Sequence, residues 1–321
     1  MGAEEIKTDD LNPAEFIDQK GAELASIVGD GLAINALSGG VDSAAVTMLG
    51  HKSLGDRFRT IFVENGIMRE GEPEYIRDLF AERGVKVEIL DAKDEFFGAL
   101  KGLTDPEEKR EAITQTFYKT VFGPLVKESG AKFLVHGTNY TDVEETVAGI
   151  KRQHNILEQL GIDTEEAFGY KVLEPIIQLR KSGVRKLARE LGLPPEISER
   201  PPFPGPALAT RVIGEVTPDR VATVRKATTI VEEELSDSGA FQYLAVLHED
   251  RVTGIRSGAR EFGQQIEVRC WESTDAVTAT PTDLPFATLT KLASRITEEI
   301  PGVCSVTYNV TAKPPSTIEV I

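Results

Sequence analysis

The sequence predicts an α/β protein, a doubly wound parallel sheet followed by a smaller α+β module. Three observations carry that expectation. The chain has 321 residues, more than one domain usually holds. Up to about residue 194, short apolar runs alternate with longer amphipathic runs, the signature of βαβ units. At "ERPPFPGPAL" (199–208) four prolines and a glycine break the rhythm, which puts the expected domains at 1–199 and 200–321.

The elements follow in order. "LAINAL" (32–37) reads as a buried strand and "DSAAVTMLGHKSL" (42–54) as a helix. "RTIFVE" (59–64) and "VKVEIL" (85–90) read as strands on either side of a helix, "GEPEYIRDLFAERG" (71–84), with Gly84 as its stop. Residues 104–130 read as one long helix, capped by Thr104 or Asp105 with Pro106 in its first turn. "KFLVHG" (132–137) is a strand and "KSGVRKLARELGLP" (181–194) a helix. Beyond the proline segment the expectations are a strand at 210–216, a helix at 219–235, strands near 242–247, 265–271 and 304–311, and a helix at 286–300.

Composition narrows the function classes. No apolar run approaches the roughly 18 residues of a membrane helix. The N-terminal stretch "MGAEEIKTDDLNPAEF" is acidic and lacks the pattern of a secretion signal, so a cytoplasmic location is expected. The net charge of −16 disfavours a nucleic-acid partner, because that footprint needs clustered Lys and Arg. Two cysteines and four scattered histidines show no metal-ligand spacing.

The chemistry concentrates in "SGGVDS", Ser38 to Ser43, between the first strand and its helix. A glycine turn entering a helix gathers backbone N–H groups at the positive end of the helix dipole, which suits phosphate. Gly39 and Gly40 permit close approach, Ser38 and Ser43 add hydroxyls, and Val41 completes the loop. Asp42 would repel a bare phosphate but fits one bridged by Mg²⁺. The competing structural reading is a capped helix after a turn, with Asp42 as the cap. No lysine stands here, so this is not a Walker loop.

The loop resembles the pyrophosphate loop of N-type ATP pyrophosphatases, whose fold is adenine nucleotide alpha hydrolase-like. "FVENGIMREGE" (62–72), "TDPEEKR" (104–110), "HGTNYTDVEET" (136–146), "KRQHN" (151–155), "RPPFPGPALATRVIGEV" (200–216) and the ending "AKPPSTIEVI" (312–321) resemble the GMP synthetase family within that group. The likeness spans nearly the whole chain. It implies a ligase that adenylates XMP with ATP and Mg²⁺, releases pyrophosphate, and lets ammonia displace AMP to give GMP. It also implies the archaeal arrangement, with a separate glutaminase subunit supplying ammonia, and a homodimer built on the C-terminal module.

The same resemblance assigns residues. Asp42 and Lys181 are implied in catalysis, with Asp42 also the Mg²⁺ ligand, and Ser38 to Ser43 in ATP binding. Arg69, Asp142, Glu145, His154, Arg211, Arg256, Lys313, Thr317 and Glu319 are implied in substrate binding. Each also has a plainer reading: a surface charge for Arg69 and Lys181, helix capping for Asp142 and Glu145, a frayed end for the tail. The sequence departs from the family pattern at Gln153 in the lid, at Ala207 where a glycine is usual, at Arg256 where a glutamine is usual, and at Ser257-Gly258. Those departures leave open a paralogue that adenylates another nucleotide-like acceptor for amidation or sulfur transfer.

Overall fold

A computed structural model describes residues 4–147, 169–274 and 276–320, without the side chains of 145–147. The lid segment at 151–155, with His154, and the Glu145 side chain lie outside the described residues. The chain divides into two compact units. The first comprises 1–64, 72–91 and 118–200; the second comprises 65–71, 92–117 and 201–321.

The first unit is built on a parallel five-stranded sheet: β1 (Ala33–Ala36), β2 (Phe58–Glu64), β3 (Val87–Asp91), β4 (Phe133–Val135) and β5 (Lys171–Leu173). Their order is β3-β2-β1-β4-β5, all neighbours parallel. Parallel strands are covered on both faces, which is why Ile34, Ile61, Phe62 and Leu134 are all buried. The order reverses between β1 and β4, and in open α/β sheets ligands bind beyond the strand C-termini at that reversal.

Helices α1 (Pro13–Val28) and α2 (Val41–Leu54) belong to this unit with α3 (Glu72–Ala81). Asn12 caps α1 by accepting from the Glu15 N–H, and Pro13 occupies its first position. The sequence reading does not anticipate α1, nor the three-residue β5, whose run is too short to stand out.

Helix α4 (Lys93–Leu100), also unanticipated, and helix α5 (Pro106–Gln115) fall in the second unit. Asp105, not Thr104, caps α5, accepting from the N–H groups of Glu107 (2.9 Å) and Glu108 (3.1 Å). The single helix expected over 104–130 is corrected. α5 gives way to a π-helical stretch, Thr116–Phe122, before α6 (Gly123–Ser129). Pro124 explains the change of pitch, since it has no N–H for the carbonyl four residues back and its ring collides with that turn. Helix α7 (Tyr140–Val147) and helix α8 (Lys181–Glu190) return to the first unit, followed by the single turn α9 (Pro195–Ser198).

The rest of the second unit is α+β. A 3₁₀ turn (Ala207–Arg211) leads to helix α10 (Pro218–Leu235), capped by Thr217. The strand expected at 210–216 is corrected: only Val212 makes a bridge, to Leu247. Thr210 and Arg211, where that strand would begin, are taken up by the 3₁₀ turn, whose first residue, Ala207, holds a left-handed φ of +52°. β6 (Gln242–Arg256) and β7 (Ala259–Glu272) form a long antiparallel hairpin. Its tight turn has Ser257 at φ +51° and Gly258 at φ +79°, the paired left-handed residues of a two-residue hairpin loop. β8 (Thr280–Pro281) and β9 (Val303–Tyr308) pair with β7, and α11 (Phe286–Glu299) precedes β9. Arg295 of α11 ties that helix to α10 through Glu233 and Glu234, each at 2.9 Å.

Candidate functional site

The loop after β1 is closed on itself. Ser43 Oγ donates to the Gly40 carbonyl (3.0 Å), lies 3.0 Å from Ser38 Oγ, and accepts from the Ser38 N–H (3.1 Å). Helix α2 begins at Val41, with Gly40 as its N-cap and no side-chain cap. Asp42 is therefore in the first turn and is not the cap. The first-turn N–H groups have no intrahelical acceptor, the condition for an anion site. Gly39 is required twice over: its φ is +81°, and a Cβ there would lie 2.6 Å from the Glu72 carboxylate.

The segment after β4 packs directly on this loop. A Cβ on Gly137 would come within 3.1 Å of the Asp42 and Ser43 backbone, so a side chain there would press on the loop. Thr138 donates to Glu174 (2.6 Å), fixing that segment. Asn139 and Asp142 cap α7 reciprocally: Asn139 Oδ1 accepts from the Thr141 and Asp142 N–H groups, and Asp142 Oδ2 accepts from the Asn139 N–H (3.1 Å). Lys181, the first residue of α8, donates from Nζ to Asp42 Oδ2 in an ion pair. The fold thus brings Ser38 to Ser43, Asp42 and Lys181 together beyond the C-terminal ends of the central strands. Among the described residues, no group of three or more His, Cys, Asp or Glu side chains could hold a metal.

A second constellation belongs to the C-terminal unit. Arg69 stacks over the Phe203 ring at 3.9 Å from its centroid, and Arg211 faces the same ring at 4.9 Å. Arg69 pairs with Glu232 (2.7 Å). Arg211 is completely buried and donates to Glu319 from Nε (3.2 Å) and Nη2 (2.9 Å), and Gln242 donates to the same carboxylate (2.8 Å). The tail is firmly held rather than frayed. Ile318 packs with Leu244, Val246, Trp271 and Ala279, Lys313 pairs through its backbone with Ala279, and Arg269 donates to the Thr317 carbonyl (2.8 Å).

The remaining candidates make contacts of their own. Lys313 Nζ donates to the Ala276 carbonyl (2.7 Å), and Thr317 Oγ1 to the Glu319 carbonyl. Arg256 lies at the hairpin turn, donating to Glu261 (3.0 Å) and to the carbonyls of Thr297 and Val303. Sequence reasoning misses Phe203, Glu232, Gln242, Glu72 and Arg200. For Phe203 and Arg200 the signal is present, in the proline motif that carries them; for Gln242 and Glu232 there is none.

Relatives settle the family. The chain is 48% identical over 309 residues to a subunit of the glutamine-hydrolyzing GMP synthase of Archaeoglobus fulgidus, covering 96% of this chain and 99% of that protein. The chain belongs to this GMP synthase subunit family. Proteins of the same name from Methanothermobacter thermautotrophicus and Pyrococcus furiosus are 44% and 45% identical, again over 96% and 95% of this chain and 99% and 96% of theirs. The family model for the GMP synthase C terminal domain matches residues 229–320, which contain Gln242, Glu319 and the hairpin. All three relatives are archaeal and each is named as one subunit of its synthase, in keeping with the arrangement the motifs imply. No helix among the described residues is long and apolar enough to cross a membrane.

Proposed function

We propose that the chain is the synthetase subunit of a GMP synthase, converting XMP to GMP with ATP and ammonia. The observation that carries the mechanism is the self-closed Ser38–Ser43 loop, with its helix N-terminus free of a side-chain cap and the Asp42–Lys181 pair at its mouth. In this reading the loop N–H groups and the two serine hydroxyls hold the β- and γ-phosphates of ATP. The XMP O2 oxygen attacks the α-phosphorus, forming the adenyl ester and expelling pyrophosphate. Lys181 then stabilises the charge that builds on the leaving pyrophosphate. Ammonia adds to the activated carbon, and AMP departs with the former XMP oxygen.

The Asp42 carboxylate in the first turn after the loop suits Mg²⁺, which commonly takes one or two carboxylates and completes its shell with phosphates and water. Bound there, the ion would screen phosphate charge, and Asp42 is the residue to hold it. Arg69, Arg211 and Glu319 form the acceptor-nucleotide side of the reading, supported by the shared Phe203 stack. Lys313, Thr317, Asp142, Glu145, His154 and Arg256 enter it through the resemblance. We further assign residues 1–199 to the ATP-pyrophosphatase domain and 200–321 to a dimerisation and substrate domain. The partners are a second copy of the chain and a glutaminase subunit, in the cytoplasm.

The test is direct. Purified protein with ATP, Mg²⁺, ammonium and XMP should yield GMP, AMP and pyrophosphate in equal amounts. Asp42→Asn and Lys181→Gln should each cut turnover at least a hundredfold, the scale of losing one charge-stabilising group. AMP formation without XMP dependence would refute XMP as the acceptor.

A further inference from the structure

Directly behind the phosphate loop lies a buried carboxylate. Glu72, in the first turn of α3, is only 3% exposed, and its Oε1 lies where a side chain on Gly39 would begin. A negative charge in that place opposes any polyphosphate in front of the loop, through a medium that screens poorly. Arg200 answers it. Its Nη1 and Nη2 donate to Glu72 Oε1 (2.5 Å) and Oε2 (2.7 Å) in a two-pronged pair, and Nη1 also reaches the Gly39 carbonyl at 3.5 Å. All three residues belong to the first unit.

We propose that Arg200 is a positioning residue for the nucleotide: it neutralises Glu72 and braces Gly39, so that the loop accepts polyphosphate. The inference rests on the reading that this loop holds ATP pyrophosphate. Three features support it. The pairing is bidentate, which fixes the guanidinium plane as well as its charge. Glu72 sits at the N-terminal end of α3, where a carboxylate is stable, so the charge is a built part of the site. Arg200 is the last residue of the first unit and opens the "RPPFPG" motif, so the proline-stiffened chain that follows begins at the counter-ion of Glu72.

The signs of the expected effects separate electrostatics from mere scaffolding. Removing Arg200 leaves a buried carboxylate without its counter-charge. Arg200→Met should therefore weaken binding of magnesium pyrophosphate and raise KM for ATP tenfold or more, with KM for XMP within twofold. Glu72→Gln removes the offending charge and should bind pyrophosphate as tightly as the unaltered protein, or tighter. The Arg200→Met/Glu72→Gln double variant should recover to within threefold, and Arg200→Lys should fall between.

Calorimetric titration with inorganic pyrophosphate and Mg²⁺ reads all four, and the double variant covers the case in which Arg200→Met alone does not fold. Unaltered protein that binds no pyrophosphate would overturn the loop reading itself. Binding by the unaltered protein that Arg200→Met leaves unchanged would overturn the present inference alone. So would a folded double variant that stays as weak as Arg200→Met.

Discussion

Glu319 shows how much rests on single side chains. It is the counter-ion of Arg211, a guanidinium with no solvent exposure at all. Removing one partner of a buried pair costs far more than the pair is worth, because the remaining charge cannot return to water. Glu319→Gln should destabilise the protein by about 3 kcal/mol, read as a shift in urea midpoint. Gln242→Ala, which removes one of three donors to that carboxylate, should cost only about 1 kcal/mol. Lys109 is a second buried cation, its Nζ donating to the Val212 carbonyl (2.9 Å). Burial, helped by the nearby Arg220, lowers its pKa to about 8. Above that value the folded chain has released the proton while the unfolded chain, near 10.5, still holds it. Stability should therefore rise with pH between about 8 and 10.5, by up to about 3 kcal/mol. Denaturant titrations across that window should show the rise in the unaltered protein and lack it in Lys109→Met.

Elements here are set by their ends. Asn12, Asp105 and Thr217 start helices with side-chain caps, each followed by a proline, and of these the sequence reading names only Asp105. α2 starts on Gly40 with no side-chain cap, as α4, α6, α8 and α11 also start without one, and what sets it apart is the self-closed Ser38–Ser43 turn that leads into it. The turn at Ala207–Arg211 carries an exception. Ala207 is fully buried at φ +52°. Ala207→Gly would relieve about 1–2 kcal/mol of left-handed strain. It would also give up about 0.8 kcal/mol of methyl burial and about 0.5–1 kcal/mol of chain entropy, a similar sum. The thermal midpoint should therefore move little, by less than about 1 kcal/mol equivalent. A clear loss of stability would show that the buried methyl outweighs the strain.

At the scale of the whole molecule, a net charge of −16 on 321 residues makes self-repulsion a general tax on folding. Added salt shortens the screening length from about 30 Å at 0.01 M to about 3 Å at 1 M. The thermal midpoint should rise between those limits, equally with KCl and NaCl if screening alone acts; a rise specific to one cation would point to ion binding instead. The strand–helix alternation, the glycine turn after β1, the Asp105 cap and the family were determined by the sequence itself, because periodicity, turn chemistry and capping are local and leave local marks. Residues 65–71 and 92–117 read as parts of the first domain, yet they pack into the second unit, and no local signal marks that exchange. The helix over 104–130 was legible, but its π-helical middle was not, since Pro124 acts on residues before it. Tertiary structure alone decided that Arg200 meets Glu72 across 128 residues and Arg211 meets Glu319 across 108. Charges that far apart in the chain find each other only when the backbone between them is folded, and a sequence records each charge without its partner.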